Sequence, residues 1–308
     1  MVTERFEFSG YNNTKLAAVI WWPEGNVQSV LQITHGMTEH MERYEALAKE
    51  LTEKGIAVAG FDLRGHGRNP GDKTIASFGK DGWEASIEDM QLFFLRLRQI
   101  FPKSAHFMLG FSLGSFLLRE YLGKYPEGKA GAVIIGTGVQ PKLVLSVMMW
   151  IVKTQIRKAG FDNTTDLVKK LSFGAYNREF QPNRTEADWL CGDKEQLDLY
   201  LSDPLCRKII SAGLFWQMLG AMKRTGDIET YENWDKDMPV LLISGKDDPV
   251  GNFGEGIRKL REQMKEAEIA DLTMYLLPDA RHDVLHEEDC GADSVRMIIG
   301  NWIARKQT

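Results

Sequence analysis

The stretch His106-Phe-Met-Leu-Gly-Phe111-Ser112-Leu-Gly-Ser115 decides how the rest of this 308-residue chain is read. Residues 106–111 are mostly apolar and too few for a helix, which reads as a buried strand. They run without a loop into Ser-Leu-Gly-Ser, and residues 116–125 then repeat apolar side chains at helical spacing. Residues 130–135 (AGAVII) are a second uncharged strand. Strand, tight turn, helix and strand in that order describe a parallel pair joined by a crossover helix, a unit that needs helices packed on the sheet.

The same alternation extends outward in both directions. Upstream, 15–22 is apolar and stops at Pro23, and 29–34 (SVLQIT) is a short strand ending at His35-Gly36. Residues 44–54 repeat Leu47, Ala48 and Leu51 as a helix that Gly55 caps, and 56–61 (IAVAGF) is the next buried strand. Residues 83–100 set Ile87, Met90, Phe93, Phe94 and Leu97 on one face, a long amphipathic helix whose aromatic stripe reads as core packing. Downstream, the strands disappear between 138 and 236, where helical patterns, polar connectors and two apolar runs, 143–152 and 214–222, take over. The rhythm returns with 239–244 (PVLLIS), a helix over 255–265, a strand over 271–277 and a closing helix over 294–306. The organisation predicted is one α/β core, residues 1–137 and 237–308, interrupted once by a helical cap over 138–236.

Composition narrows the partners. A chain 43% hydrophobic and 26% charged buries an ordinary globular core and is not disordered. Its 38 Lys+Arg against 43 Asp+Glu leave a net charge of −5 with no basic stripe, so nucleic acid is not an expected partner. Cys191, Cys206 and Cys290 are an odd, widely spaced set without a CxxC pair, which reads as free thiols and not as a disulfide framework or zinc knuckle. The opening Met1-Val-Thr-Glu-Arg-Phe-Glu-Phe carries charges where a secretory signal would be apolar, and no stretch approaches the roughly 18 apolar residues of a spanning helix. The expected address is the cytoplasm.

Gly110-Phe-Ser112-Leu-Gly114 fits G-x-S-x-G, a strand-to-helix turn that lifts a serine hydroxyl above the sheet edge. A serine is a weak nucleophile at neutral pH and needs a base, and the base needs an acceptor to fix its tautomer. In this arrangement both come later in the chain, acid before histidine, each on a loop after a strand. Asp247 and Asp248 follow the strand 239–244; His282 follows the strand 271–277. His35, His40, His66 and His106 all precede Ser112, and His286 lies a helical turn beyond His282. His282-Asp-Val-Leu-His286 also has the i, i+4 spacing of a metal pair, but a zinc-protease helix needs Glu where this chain has Asp283. The tetrahedral intermediate needs two backbone N–H donors. Leu113 supplies one, and Gly36 lets the chain turn so that Met37 supplies the other.

Five stretches occur together in a fixed order: His35-Gly-Met-Thr-Glu-His-Met-Glu-Arg-Tyr44, Phe61-Asp-Leu-Arg-Gly-His-Gly67, Gly110-Phe-Ser-Leu-Gly114, Gly245-Lys-Asp-Asp-Pro-Val250 and His282-Asp-Val-Leu-His-Glu287. Over about residues 10–137 and 237–305 the chain resembles an α/β-hydrolase of the monoacylglycerol lipase and lysophospholipase type, a family that includes serine aminopeptidase relatives. The resemblance implies a mostly parallel central sheet flanked by helices with an inserted helical cap. It implies Ser112 as nucleophile, Asp248 as acid, since the family spacing Gly-x-x-Asp counted from Gly245 lands there, and His282 as base. Met37 and Leu113 become the oxyanion donors, and Arg64 and His66 buttress the turn. Phe111 stands where the family more often has histidine.

The chemistry implied is hydrolysis of a monoacylglycerol- or lysophospholipid-like ester through an acyl-serine, with no metal or organic cofactor. Within the cap, Met148, Trp150, Trp216 and Met218 are the expected substrate contacts. The apolar run 143–152, followed by Lys153, Arg157 and Lys158, has a second reading as a lid that dips into a membrane or micelle surface. An amide hydrolase or aminopeptidase would use the same three side chains plus a cap carboxylate for the substrate amine, for which Glu186, Asp188 and Asp193 are the candidates. A non-catalytic, hydrolase-like binding protein would have lost one of the three.

Overall fold

In the computed structural model residues 1–71, 74–206, 209–287 and 295–307 are described. Its first strands, β1 (Val2–Ser9) and β2 (Lys15–Trp22), pair antiparallel with Val2 opposite Trp22. There follow β3 (Ser29–Thr34), α1 (Glu45–Thr52), β4 (Ile56–Phe61), β5 (Ile75–Ala76), α2 (Gly82–Ile100), β6 (Ala105–Phe111), α3 (Leu113–Lys124) and β7 (Gly131–Ile135). The strandless stretch expected over 138–236 holds α4 (Lys142–Ala159), α5 (Asp166–Leu171), α6 (Phe173–Tyr176), α7 (Lys194–Ser202), the two-residue β8 (Ile209–Ile210) and α8 (Ala212–Arg224). The chain then returns through β9 (Val240–Gly245), α9 (Glu255–Glu266), β10 (Leu272–Leu277) and α10 (Val295–Arg305).

Eight strands form one sheet in the order β1-β2-β4-β3-β6-β7-β9-β10. From β4 to β10 every neighbouring pair is parallel, and β2 runs against β4. The central strands are buried on both faces, which is why they read as unbroken apolar runs. Their alternate residues divide between two cores. Met108 of β6 and Leu242 of β9 join Met90, Phe93, Phe116 and Leu260 of α2, α3 and α9, whereas Leu109 and Ile243 join Leu47, Leu51, Trp302 and Ile303 of α1 and α10. Each such side chain contributes roughly 1.5–3 kcal/mol on burial, so the two faces carry most of the stability.

Local differences from the sequence reading have physical causes. β1 was not expected, because its charged residues face water on an edge strand and mask the alternation. The helix after the serine starts at Leu113, not three residues later, since the turn is completed at Ser112 itself. Cys191 and Cys206 are buried and form no disulfide among the described residues. Cys290, and Ser294 at the start of the expected closing helix, lie outside the described residues.

A buried arginine fastens the stretch 138–236 to the sheet. Arg119 of α3 is fully buried and has no carboxylate partner among the described residues. Its guanidinium donates instead to Thr137 Oγ1 (3.0 Å), Gly138 O (3.2 Å), Tyr231 Oη and the Thr225 carbonyl. Thr137 and Gly138 are where the chain leaves β7; Thr225 and Tyr231 are where it comes back toward β9. One cation therefore holds both ends together. Replacement by alanine removes the donor from buried Thr137 Oγ1 and Gly138 O, each at a cost of about 1–3 kcal/mol, while the Thr225 carbonyl keeps the Tyr231 hydroxyl at 2.6 Å. Arg119→Ala is expected to lose about 3 kcal/mol or more in urea unfolding at neutral pH, and an unchanged midpoint would contradict this role.

Candidate active site

Ser112 directly follows β6 with φ 51° and ψ −117°, a conformation that a residue with a side chain rarely adopts. Two glycines make it accessible. A Cβ at Gly110 would strike the Gly114 backbone 2.5 Å away, and one at Gly114 would strike the Thr34 and His35 carbonyls. The same close approach brings the end of β3 against the start of α3.

Two loops converge on this serine. His282, after β10, has Nε2 2.8 Å from Ser112 Oγ and Nδ1 2.9 Å from Asp248 Oδ1. The carboxylate only accepts, so Nδ1 carries the hydrogen and Nε2 presents its lone pair to the serine hydroxyl. Asp248, after β9, is fully buried and also accepts from Val250 N–H at 2.8 Å. Asp247 is half-buried and enters through its backbone, its N–H donating to Ala280 O at 2.9 Å. The rings of Phe111 and Trp189 each lie 5.1 Å from the His282 ring, one on the sheet side and one from the stretch 138–236. Gly136, with φ +61°, passes so close to His282 that a Cβ there would lie 3.0 Å from its Cε1.

The loop after β3 is held by its own polar groups. His35 Nε2 accepts from Leu63 N–H at 2.8 Å and its Nδ1–H donates to Gly36 O at 2.7 Å. Burial pushes its pKa down to about 3, so the ring is a neutral strut. Glu39 Oε1 accepts from Gly36 N–H and from the Tyr44 hydroxyl. Among the described residues no acceptor is bonded to the N–H of Met37 or of Leu113. Met37 lines the same pocket as Ser112. Arg64 grips Asp89 through two nitrogens, and His66 Nδ1 lies 2.8 Å from Arg64 O.

A second buried network ties that loop to the histidine loop. Arg43 donates to Glu39 and, at 2.9 Å, to Asp283, beside which lies His286 Nδ1. His286 Nε2 meets Arg43 O at 3.1 Å, so both ring nitrogens are engaged and His282 and His286 do not converge on one point. Burial alone would push the Asp283 carboxyl up, but His286 and Arg43 outweigh it and hold it well below the usual carboxylate range.

The pocket at Ser112 is small, about 20 Å³, and is walled by Met37, Phe116, Phe173, Trp189 and Met218 among others. Of the four expected substrate contacts it contains Met218. The others need correction. Trp150 is 69% exposed, Met148 is half-buried on α4 against the core, and Trp216 lines a separate surface cleft with Trp83 and Met149. α4 packs outside α8, so its apolar run faces α8 and water and does not reach the serine. Phe173, Tyr176 and Trp189, which do reach it, stand in no motif and were not expected. Of the carboxylates considered for a substrate amine, Asp188 accepts from the Arg184 and Thr185 backbone and Asp193 caps α7, so both are occupied. Glu186 is exposed.

A mostly parallel sheet, with a glycine-flanked serine turn at the end of a central strand and an aspartate and a histidine hydrogen-bonded to it in series from later strand loops, defines an α/β-hydrolase. The model of the Hydrolase_4 family, described as serine aminopeptidase, S33, matches residues 25–289, and the chain belongs to that family. It is 25% identical to the monoglyceride lipase of Homo sapiens over 288 residues, 93% of this chain and 86% of that one. Against the monoacylglycerol lipase of Mycolicibacterium smegmatis it is 22% identical over 290 residues, 92% and 91% of the two chains. Among solved structures, a thermostable carboxyl esterase from Bacillus coagulans, in complex with glycerol, superposes with a TM-score of 0.88 at 22% identity, covering 100% of both chains.

Because the folded-state pKa of Asp283 lies below the unfolded value of about 3.9, its contribution is fully present at neutral pH and is lost as pH falls below about 4. Asp283→Asn is expected to cost about 3 kcal/mol in urea unfolding at pH 7, with the gap to wild type narrowing between pH 4 and pH 3. A gap that is absent at pH 7, or that does not narrow in acid, would contradict the assignment.

Proposed function

We propose that this chain is a carboxylic ester hydrolase in which Ser112 is the nucleophile, His282 the base and Asp248 the acid. The observation that carries the reading is the unbroken hydrogen-bonded sequence Ser112 Oγ, His282, Asp248. His282 Nε2 takes the serine proton as Oγ adds to the ester carbonyl, and Asp248 stabilises the imidazolium. The carbonyl oxygen, now negative, accepts from the Met37 and Leu113 N–H groups. Collapse passes the proton from Nε2 to the leaving alcohol and leaves an acyl-Ser112. Water, deprotonated by the same nitrogen, then releases the carboxylic acid and restores the serine.

The substrate class is a monoacylglycerol-like ester. The monoglyceride and monoacylglycerol lipases among the relatives support it, as do the apolar walls of the pocket at Ser112. Amide hydrolysis is the weaker reading, because Asp188 and Asp193 already serve the backbone. Residues 1–137 and 237–308 act as the hydrolase core, and 138–236 as a cap over the serine. The described residues contain no helix long and apolar enough to cross a membrane. α4 nonetheless presents Leu143 (77% exposed), Val147 and Trp150 along one side, with Lys153, Arg157 and Lys158 after them. That face suits transient contact with a lipid surface. Two buried cysteines that form no disulfide among the described residues suit the cytoplasm.

Ser112→Ala is expected to lower kcat on a glycerol monoester by about 10⁴-fold or more. Residual activity near wild type would remove Ser112 from the chemistry. Trp150→Glu is expected to cut hydrolysis of monooleoylglycerol in vesicles at least fivefold relative to a dissolved butyrate ester. An equal effect on both substrates would refute lipid contact by α4.

A further inference from the structure

We propose that His40, Asp203 and Cys206 form a binding site for a zinc ion that takes no part in the chemistry at Ser112, and that the bound ion clamps the stretch 138–236 to the loop after β3. The three side chains bring an imidazole nitrogen, a carboxylate oxygen and a sulfur within 4.8 Å of one another. Among the described residues no other three groups of these types converge so closely. His40 and Cys206 are buried, and Asp203 is the member that water reaches.

Local chemistry places two of the three. Asp203-Pro-Leu-Cys206 is a tight turn with proline at its second position, in which Cys206 N–H donates to Asp203 O at 3.3 Å and Leu205 N–H to Asp203 Oδ1 at 2.7 Å. The other carboxylate oxygen, Oδ2, is left for His40, whose Nε2 lies 2.8 Å away. His40 arrives from the loop after β3, three residues beyond Met37. His35, His282 and His286 each engage both ring nitrogens, whereas His40 Nδ1 has no hydrogen-bond partner among the described residues. Asp203 alone holds the His40 ring by a hydrogen bond, so the ring can exchange that bond for a metal that the same carboxylate shares.

The donor set selects the ion. Imidazole, thiolate and carboxylate are zinc ligands, and a thiolate disfavours magnesium and calcium, which take oxygen. With bonds of about 2.0–2.3 Å, the ligand atoms of a tetrahedral zinc stand roughly 3.3–3.6 Å apart. The His40–Asp203 pair at 2.8 Å must therefore open by about half an ångström, and the sulfur must close in by no more than about 1.2 Å. Asp203 directly follows α7 and is half-buried, so a shift of that size is open to it. Arg43 is the cation that acts on both Asp203 and Cys206, and Glu39 and Asp283 already answer its charge. On binding, the Cys206 thiol hydrogen leaves to solvent, and thiolate and carboxylate balance the two charges of the ion. Water fills the fourth position from the exposed side of Asp203.

The experiment titrates the full chain, cleared of metal by a chelator and kept reduced, with cobalt(II) as a spectroscopic probe of the zinc site. One equivalent of cobalt is expected to bind with a sulfur-to-cobalt charge-transfer band in the near ultraviolet and the intense visible bands of a tetrahedral site, and one equivalent of zinc to abolish both. Cys206→Ser is expected to lose the charge-transfer band and to weaken zinc binding at least tenfold. Asp203→Asn is expected to keep the band with binding also weakened at least tenfold, and Cys191→Ser to change neither. None of these readouts uses activity, so they stand whether or not Ser112 hydrolyses esters. A wild type that binds no cobalt, or binds it only with the weak absorption of an octahedral surface site, overturns the proposal. A charge-transfer band that survives Cys206→Ser overturns it as well. If Cys206→Ser does not fold, Cys206→Ala takes its place with the same expected loss.

Discussion

The backbone turn at Ser112 is the constraint on which the site depends. A non-glycine residue at φ 51° and ψ −117° is held there only because Gly110 and Gly114 let three backbone segments come nearer than any Cβ would allow. The consequences are more than local. Gly114 against Thr34 and His35 sets the loop after β3, with Met37, beside the first turn of α3, with Leu113. The contact that relieves the strain thus also brings together the two N–H groups assigned to the developing oxyanion. At the neighbouring strand end, Gly136 performs the same service for His282.

The histidine loop is held from two directions by different kinds of force. On the core side the hydrogen-bonded network of Glu39, Arg43, Asp283 and His286 couples it to the loop after β3, so His282 and the loop that carries Met37 are positioned by one buried cluster. From the stretch 138–236 come the Leu190 carbonyl, which accepts from Asp283 N–H, the Asp188 carbonyl, which accepts from the Arg281 side chain, and the ring of Trp189. His40, paired with Asp203 at 2.8 Å, and the short β5–β8 pair add further ties between that stretch and the core loops. The stretch 138–236 is therefore tied at several points to the loops that carry His282 and Met37.

How far the sequence could be read follows from the same physics. Central strands, the glycine-flanked serine, and the loops after later strands that carry Asp248 and His282 were legible because each is fixed by local chemistry: burial on both faces, a turn only glycine permits, a loop at a strand end. Asp248 and Asp247 were separable only through the spacing of a resembling family, since both follow β9, and it is tertiary packing that turns Asp248 inward. In residues 138–236 no such local rule operates. The apolar run of α4 looks the same whether it faces the serine or water, and Trp150 was misread for that reason. Phe173 and Trp189 become neighbours of Ser112 only when α6 and the loop before α7 fold over it, a juxtaposition that carries no signature in composition or spacing.

The central claim is that Ser112 carries the acyl group. Its most direct test is to mix enzyme with excess glycerol monoester, quench in acid within the first turnovers, and locate by peptide mass analysis any residue that has gained an acyl. The expected result is an acyl adduct on the peptide containing Ser112, absent from Ser112→Ala and from His282→Ala. Hydrolysis that proceeds with no adduct on Ser112, or with an adduct on another residue, would contradict the account.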